Sequence, residues 1–270
     1  MAKKAETAAA VRVGVGGWTY APWRGRFYPE GWPAKRELEY AGQHLTAIEI
    51  NGTFYRSQGA KSFAKWRAET PEDFVFTVKG HRAVVNAKKL GDAGEAVEWF
   101  FKSGVTELGP KLGPVLWQLA PFKKFDAEDL GAFFALLPRE VAGVPIRHAI
   151  EVRSKSFVVP DFVDLARRNN IAIVYADSDE HPAIADITAD FVYARLQRST
   201  SEQEAGYAAA DLDTWTEHAR LWAAGGAPLD LNYVGGSAAK KTKRDVFVFF
   251  ISGAKERNPA AAQALIDRLK

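Results

Sequence analysis

The 270-residue chain contains no cysteine, which excludes structural disulfides, thiolate metal sites and a cysteine nucleophile. It also lacks any run near the ~18 consecutive apolar residues that a membrane helix needs. The two early lysines are followed by Glu6, Arg12 and several glycines, with no apolar leader core. These absences imply a soluble, cytoplasmic protein with no membrane partner, opening on a flexible tail over residues 1–10. The excess of one sign of charge is small too, with 36 Lys and Arg against 33 Asp and Glu. A net charge of +3 permits an anionic ligand but falls short of the dense basic footprint of a dedicated nucleic-acid binder. The five histidines (44, 81, 148, 181 and 218) form no pair at the spacing of a metal-binding helix, and only His81 follows a strand end.

What is present is ordered by periodicity. Short β-branched and aromatic runs recur at 11–18, 47–54, 74–80, 114–121, 148–153, 171–177, 191–197 and 246–252. Between most of them lie helix-like stretches. Val97, Phe100, Phe101, Val105 and Leu108 keep one helical stripe, Asp126 reads as an N-cap, and Pro160 opens a helix that stops at Asn169-Asn170. Leu212, Trp215, Ala219 and Trp222 form another stripe, read as packing. Eight βα-like units predict an α/β TIM (β/α)8-type barrel with a parallel sheet, forming a single domain over 11–270. A doubly wound open sheet with a large insertion is the alternative.

Barrel active sites gather at the C-terminal strand ends. Those ends carry Glu49 and Asn51, Lys79, Gln118, Glu151 and Arg153, Asp177, and Arg195 and Gln197. Residues two apart on a strand share a face, so Glu49 with Asn51, Glu151 with Arg153 and Arg195 with Gln197 should point into one mouth. Ile50, Val152 and Leu196 should then face the helices. A layer of ion pairs closing the barrel top is the bland explanation of such charges. Glu49, Glu151 and Asp177 are otherwise candidates for acid–base catalysis. Lys79, Arg153 and Arg195 are candidates for holding phosphate or carboxylate. Three cations at the same mouth argue against a bound dication, so no metal site is expected.

The segment after strand one, GGWTYAPWRGRFYPEGW, holds Trp18, Tyr20, Trp23, Phe27, Tyr28 and Trp32 beside Arg24 and Arg26. Trp18, Tyr20 and Trp23 are candidates for stacking on a sugar or base, or else for pinning the loop over the barrel. Arg24 and Arg26 read as rim residues. GVGGWT fails the dinucleotide fingerprint because Thr19 takes the third glycine position, and GGSAAKKTK fails the phosphate-loop pattern. No motif indicates a cofactor or an oligomeric state. Lys240, Lys241, Lys243 and Arg244 precede strand eight and read as a solvated loop on the opposite face.

GGWTYAPWRGRFYP, EINGTFYR, FTVKG, LWQLAP, IEVR and YARL, spread over nearly the whole chain, resemble the domain of unknown function 72 family, the YecE-like proteins. The resemblance implies a single TIM-barrel domain and no particular activity. It adds Tyr55 and Tyr193 to the candidate binding residues, beside Phe54. Three departures from the family pattern fall at Gly16, at Gln197-Arg198 and at Ile251-Ser252. The combined expectation is an acid–base enzyme, a hydrolase, lyase or isomerase, acting on a phosphorylated or carboxylated, sugar- or nucleotide-like molecule. A single-stranded nucleic-acid binder and a non-catalytic protein-interaction scaffold are the competing readings.

Overall fold

The computed structural model describes residues 10–235 and 240–270. The expected tail therefore lies, apart from Ala10, outside the described residues, as does part of GGSAAKKTK. Eight parallel strands build the sheet: β1 (Val11–Gly16), β2 (Ala47–Ile50), β3 (Val75–Lys79), β4 (Leu112–Gln118), β5 (His148–Glu151), β6 (172–177), β7 (Phe191–Leu196) and β8 (Asp245–Phe250). Strand β6 has two halves. Ala172–Ile173 pairs with β5, and Tyr175–Asp177 pairs with β7. Val174 joins them, donating its N–H to the Ile150 carbonyl at 2.9 Å. The two halves are the two ends of the sheet order, so the sheet closes through β6 into a TIM-type barrel.

The strands are buried on both faces, as a helix-wrapped parallel sheet requires. Inside lie Ala47, Leu116, Ala149, Val174, Tyr193, Phe247 and Phe249. Outside, Ile50, Val152 and Leu196 pack in the helix layer, as their alternation predicts. At the N-terminal end Arg147 donates to Asp245 at 2.8 Å and lies over Phe191 and Phe247. This closes the floor of the barrel, leaving the opposite end for polar groups.

Helices Glu37–His44, Ala60–Ala68, Gly94–Lys102, Ala127–Leu136, Pro160–Arg168, Ala209–Ala223 and Asn258–Leu269 return the chain between strands or close it after β8. Asp126 caps its helix by accepting from the N–H groups of Glu128 and Asp129. The stripe expected over 97–108 divides: the helix ends at Lys102, Gly104 takes φ +98, and Val105–Lys111 continues as a 3-10 segment. Spacing alone could not show that break. No helix lies between β6 and β7. There the chain runs irregularly, anchored by Thr188, whose hydroxyl donates to Ile171 O at 2.6 Å and accepts from Ile173 N at 3.0 Å. Arg244 departs from the expected solvated loop. It is buried, donating to the carbonyls of Gly226 and Lys240. Among the described residues, no helix is long and apolar enough to cross a membrane.

Candidate functional site

Glu49, Lys79, Gln118, Glu151 and Arg195 point inward from five strands and are all buried. They form one hydrogen-bonded chain. Arg195 donates through Nη2 to Glu49 Oε1 at 2.9 Å and through Nε to Glu49 Oε2 at 3.1 Å. Its Nη1 donates to Glu151 Oε2. The Tyr193 hydroxyl donates to Glu49 Oε2 at 2.6 Å, so the Thr77 hydroxyl, 2.9 Å away, is left to donate to Tyr193. On the other side, Glu151 Oε1 accepts from Arg153 Nε at 2.8 Å and from Gln118 Nε2 at 2.9 Å. The Gln118 carbonyl accepts from Lys79 Nζ at 2.7 Å.

Both carboxylates are thereby saturated. Desolvation alone would raise the Glu151 carboxyl, yet Arg195 and Arg153 outweigh it and hold the pKa at about 2. Burial pushes against the Arg195 cation, but Glu151 and Glu49 hold it firmly protonated. Lys79 differs. Its ammonium meets an amide and the face of Phe54, 4.4 Å away, with no carboxylate in ion-pair range among the described residues. Burial, aided by Arg195, lowers it to about 8.

Asn51 follows β2 and lies beside Gly16. A Cβ on Gly16 would stand 2.7 Å from Asn51 Nδ2 and 2.8 Å from Ile251 Cδ1, so two of the departures from the family pattern, at 16 and 251, touch in space. The third site brings Gln197 in phase with Tyr193 and Arg195, and its Nε2 is buried without a partner among the described residues. Tyr55 is largely exposed on the short turn Gly52–Tyr55. His181, weighed from the sequence only as a metal ligand, lies in the loop after β6 near Arg153 and Glu151. Burial lowers its pKa, and the nearby Arg153 lowers it further while Glu151 opposes. No periodic pattern marks a loop residue of this kind.

Other candidates, Tyr193 apart, do not join the cluster. Asp177 pairs in register with Leu196, whereas Ala176 pairs with Arg195. Asp177 therefore faces outward, and its carboxylate meets Arg198 at 3.1 Å. The signal was available, because Ala172, Val174 and Ala176 share the inner face and leave Tyr175 and Asp177 outside. Tyr193 lies wholly beneath Glu49 and supports the cluster from below. Trp23 is 1% exposed and donates from Nε1 to Lys255 O at 2.8 Å, so no ring face is free to stack on a ligand. Trp18 packs edge-on against Trp66 and Phe76, and Lys255 covers Tyr20 at 4.3 Å. The aromatic loop is thus part of the main core, with Trp23, Phe27 and Tyr28 inside it and Trp18, Tyr20 and Trp32 packed against it. Arg24 is bound to the buried Glu37 at 2.8 Å, and Arg26 lines a cleft with Glu204 and Glu256. Neither arginine joins the mouth cluster.

His81 caps the turn Arg82–Val85, accepting from Ala83 N. His148 accepts from Trp117 and meets Pro138 O, and burial lowers it to about 4, so it is a neutral structural group. No cluster of three metal-ligating side chains occurs among the described residues.

The barrel resembles solved structures along almost its full length. A DUF72 family protein of Thermotoga maritima MSB8 superposes with a TM-score of 0.71 at 23% identity, covering 95% of this chain and 96% of that one. One from Enterococcus faecalis V583 gives 0.67 at 17% identity, covering 97% and 98%. At these identities the likeness establishes the fold. A curated relative, the UPF0759 protein YunF of Bacillus subtilis (strain 168), is 26% identical over 159 residues, a stretch spanning 57% of this chain and 54% of that protein. The family profile described as "Protein of unknown function DUF72" matches residues 12–270, and the chain belongs to that family.

Proposed function

We propose that the barrel mouth binds a small phosphorylated or carboxylated molecule between Lys79 and Arg153, and that Lys79 transfers the proton in a hydrolase, lyase or isomerase reaction. One observation carries this reading. Lys79 is a buried cation without a carboxylate partner among the described residues, although two carboxylates lie in the same cluster. Three cations (Lys79, Arg153 and Arg195) face two carboxylates, leaving one positive charge in excess. An ion-pair layer built for stability has no use for that excess, because an uncompensated buried charge costs several kcal/mol. An arriving anion offsets the cost and takes the donors that Arg153 does not spend on Glu151.

The same geometry moves proton transfer away from the carboxylates. With a pKa of about 2 and every oxygen engaged, Glu151 is a weak base. Glu49 is sealed beneath Arg195 and Tyr193. Lys79, at about 8, lies close to working pH, where acid–base catalysis is most effective. Glu49 and Glu151 then position the arginines.

The test is a thermal-shift screen of phosphorylated and carboxylated sugars and nucleotides at low salt, using wild type and Lys79→Met. A ligand at ~100 times its Kd stabilises the native state by about 2.7 kcal/mol. Stabilisation of wild type that Lys79→Met abolishes supports the reading. A flat wild-type screen, or shifts that persist in Lys79→Met, would remove it.

A further inference from the structure

A second polar cleft, of about 280 Å³, lies on the outer side of β6 and β7, with the sheet between it and the mouth. Tyr175 and Asp177 of β6 contribute to it from one side. From the other, the helix Ala209–Ala223 presents Asp211, Trp215 and His218, spaced four and three apart on one face. The rings are grouped: Tyr175 and Trp215 are 5.7 Å apart and Trp215 and His218 are 5.1 Å apart.

The lining is the electrostatic opposite of the mouth. Asp177, Asp211 and Asp230 are set against one cation, Arg198, which is already held by Asp177 and Asp179 at 3.1 Å each. Two polar groups on side chains more than nine-tenths buried lack partners. The Tyr175 hydroxyl makes no hydrogen bond among the described residues, and His218 Nδ1 is likewise unpaired. His218 Nε2 sits 2.9 and 3.0 Å from the Asp230 carboxylate oxygens. A carboxylate only accepts, so Nε2 carries a proton.

We propose that this cleft binds a small organic cation with N–H donors, an alkylammonium, its charge set against Asp211 and Asp230 and its carbon body against the Trp215 and Tyr175 rings. Aromatic faces attract cations. The unpartnered Tyr175 hydroxyl can accept from an ammonium that donates and offers nothing to one that cannot. None of these residues takes part in the anion site, so either proposal can fail alone.

Isothermal titration of putrescine into the full chain at pH 8 and low salt tests it. The expected result is saturable binding that weakens at least about tenfold, or ~1.4 kcal/mol, in Asp211→Asn and in Trp215→Leu. Lys79→Met should bind as wild type does. Asp211 is exposed, so its variant keeps the fold even if Trp215→Leu does not. Absence of saturable binding at millimolar putrescine, or equal binding by Asp211→Asn, overturns the proposal.

Discussion

Arg195 and Arg198 stand three residues apart at the end of one strand and live in different electrostatic worlds. The Arg195 side chain is 3% exposed and joins two buried carboxylates, whereas that of Arg198 is 50% exposed and bridges Asp177 to the exposed Asp179. The inward arginine binds Glu49 and Glu151 so completely that Lys79 is left with none. The outward arginine leaves Asp211 without a cation among the described residues and Asp230 with His218 alone. One strand wall thus separates a mouth with surplus positive charge from a cleft with surplus negative charge.

The largest effect should come from the inward side. Arg195→Leu leaves two buried carboxylates facing each other and should lower unfolding stability by about 3–5 kcal/mol in a denaturant titration. Glu151→Gln comes next. Because its folded pKa of about 2 lies below the ordinary 4.5, the unfolded chain binds the proton first as pH falls. The stabilisation is therefore full above about 4.5 and drains away toward 2. The glutamine variant should lose roughly 2 kcal/mol at pH 7 and show a shallower acid limb in the stability-against-pH curve.

Lys79→Met reverses the sign. A lysine depressed to about 8 from 10.5 destabilises the fold while charged, and wild-type stability should rise between those pH values as the folded form loses its proton first. The variant should gain on the order of 1 kcal/mol at pH 7, since some of the relief is offset by losing the Gln118 hydrogen bond and the Phe54 contact. Arg198→Ala is the smallest, within about 1 kcal/mol, as expected for a half-exposed ion pair. A loss from Arg198→Ala rivalling that from Arg195→Leu would erase the distinction between the two faces.

Much of this was legible in the sequence where a physical period governs it. Strands buried on both faces read as apolar runs, and two-residue alternation placed Glu49, Glu151 and Arg195 in one mouth with Ile50, Val152 and Leu196 behind them. The same alternation, extended through Ala172, Val174 and Ala176, would have put Asp177 outside. The aromatic loop was unreadable for another reason. Trp23 donates from its indole to the backbone carbonyl of Lys255, 232 residues away, whose ammonium lies over Tyr20, and no local pattern encodes so distant a partner. The saturation of Glu151 was hidden likewise, since it needs the Gln118, Arg153 and Arg195 side chains at their final distances.

The surplus charge on Lys79 is tested most directly by titrating sulfate, which does not itself take up protons near neutrality, into the protein at about pH 8.5 in two buffers of different ionisation heat. Near its pKa of about 8 Lys79 is only partly protonated, and a bound anion beside it should draw in a fraction of a proton. Wild type should therefore bind sulfate with proton uptake, and Lys79→Met should show neither. Equal binding by Lys79→Met, or binding to wild type with no proton uptake, would contradict an anion site centred on Lys79.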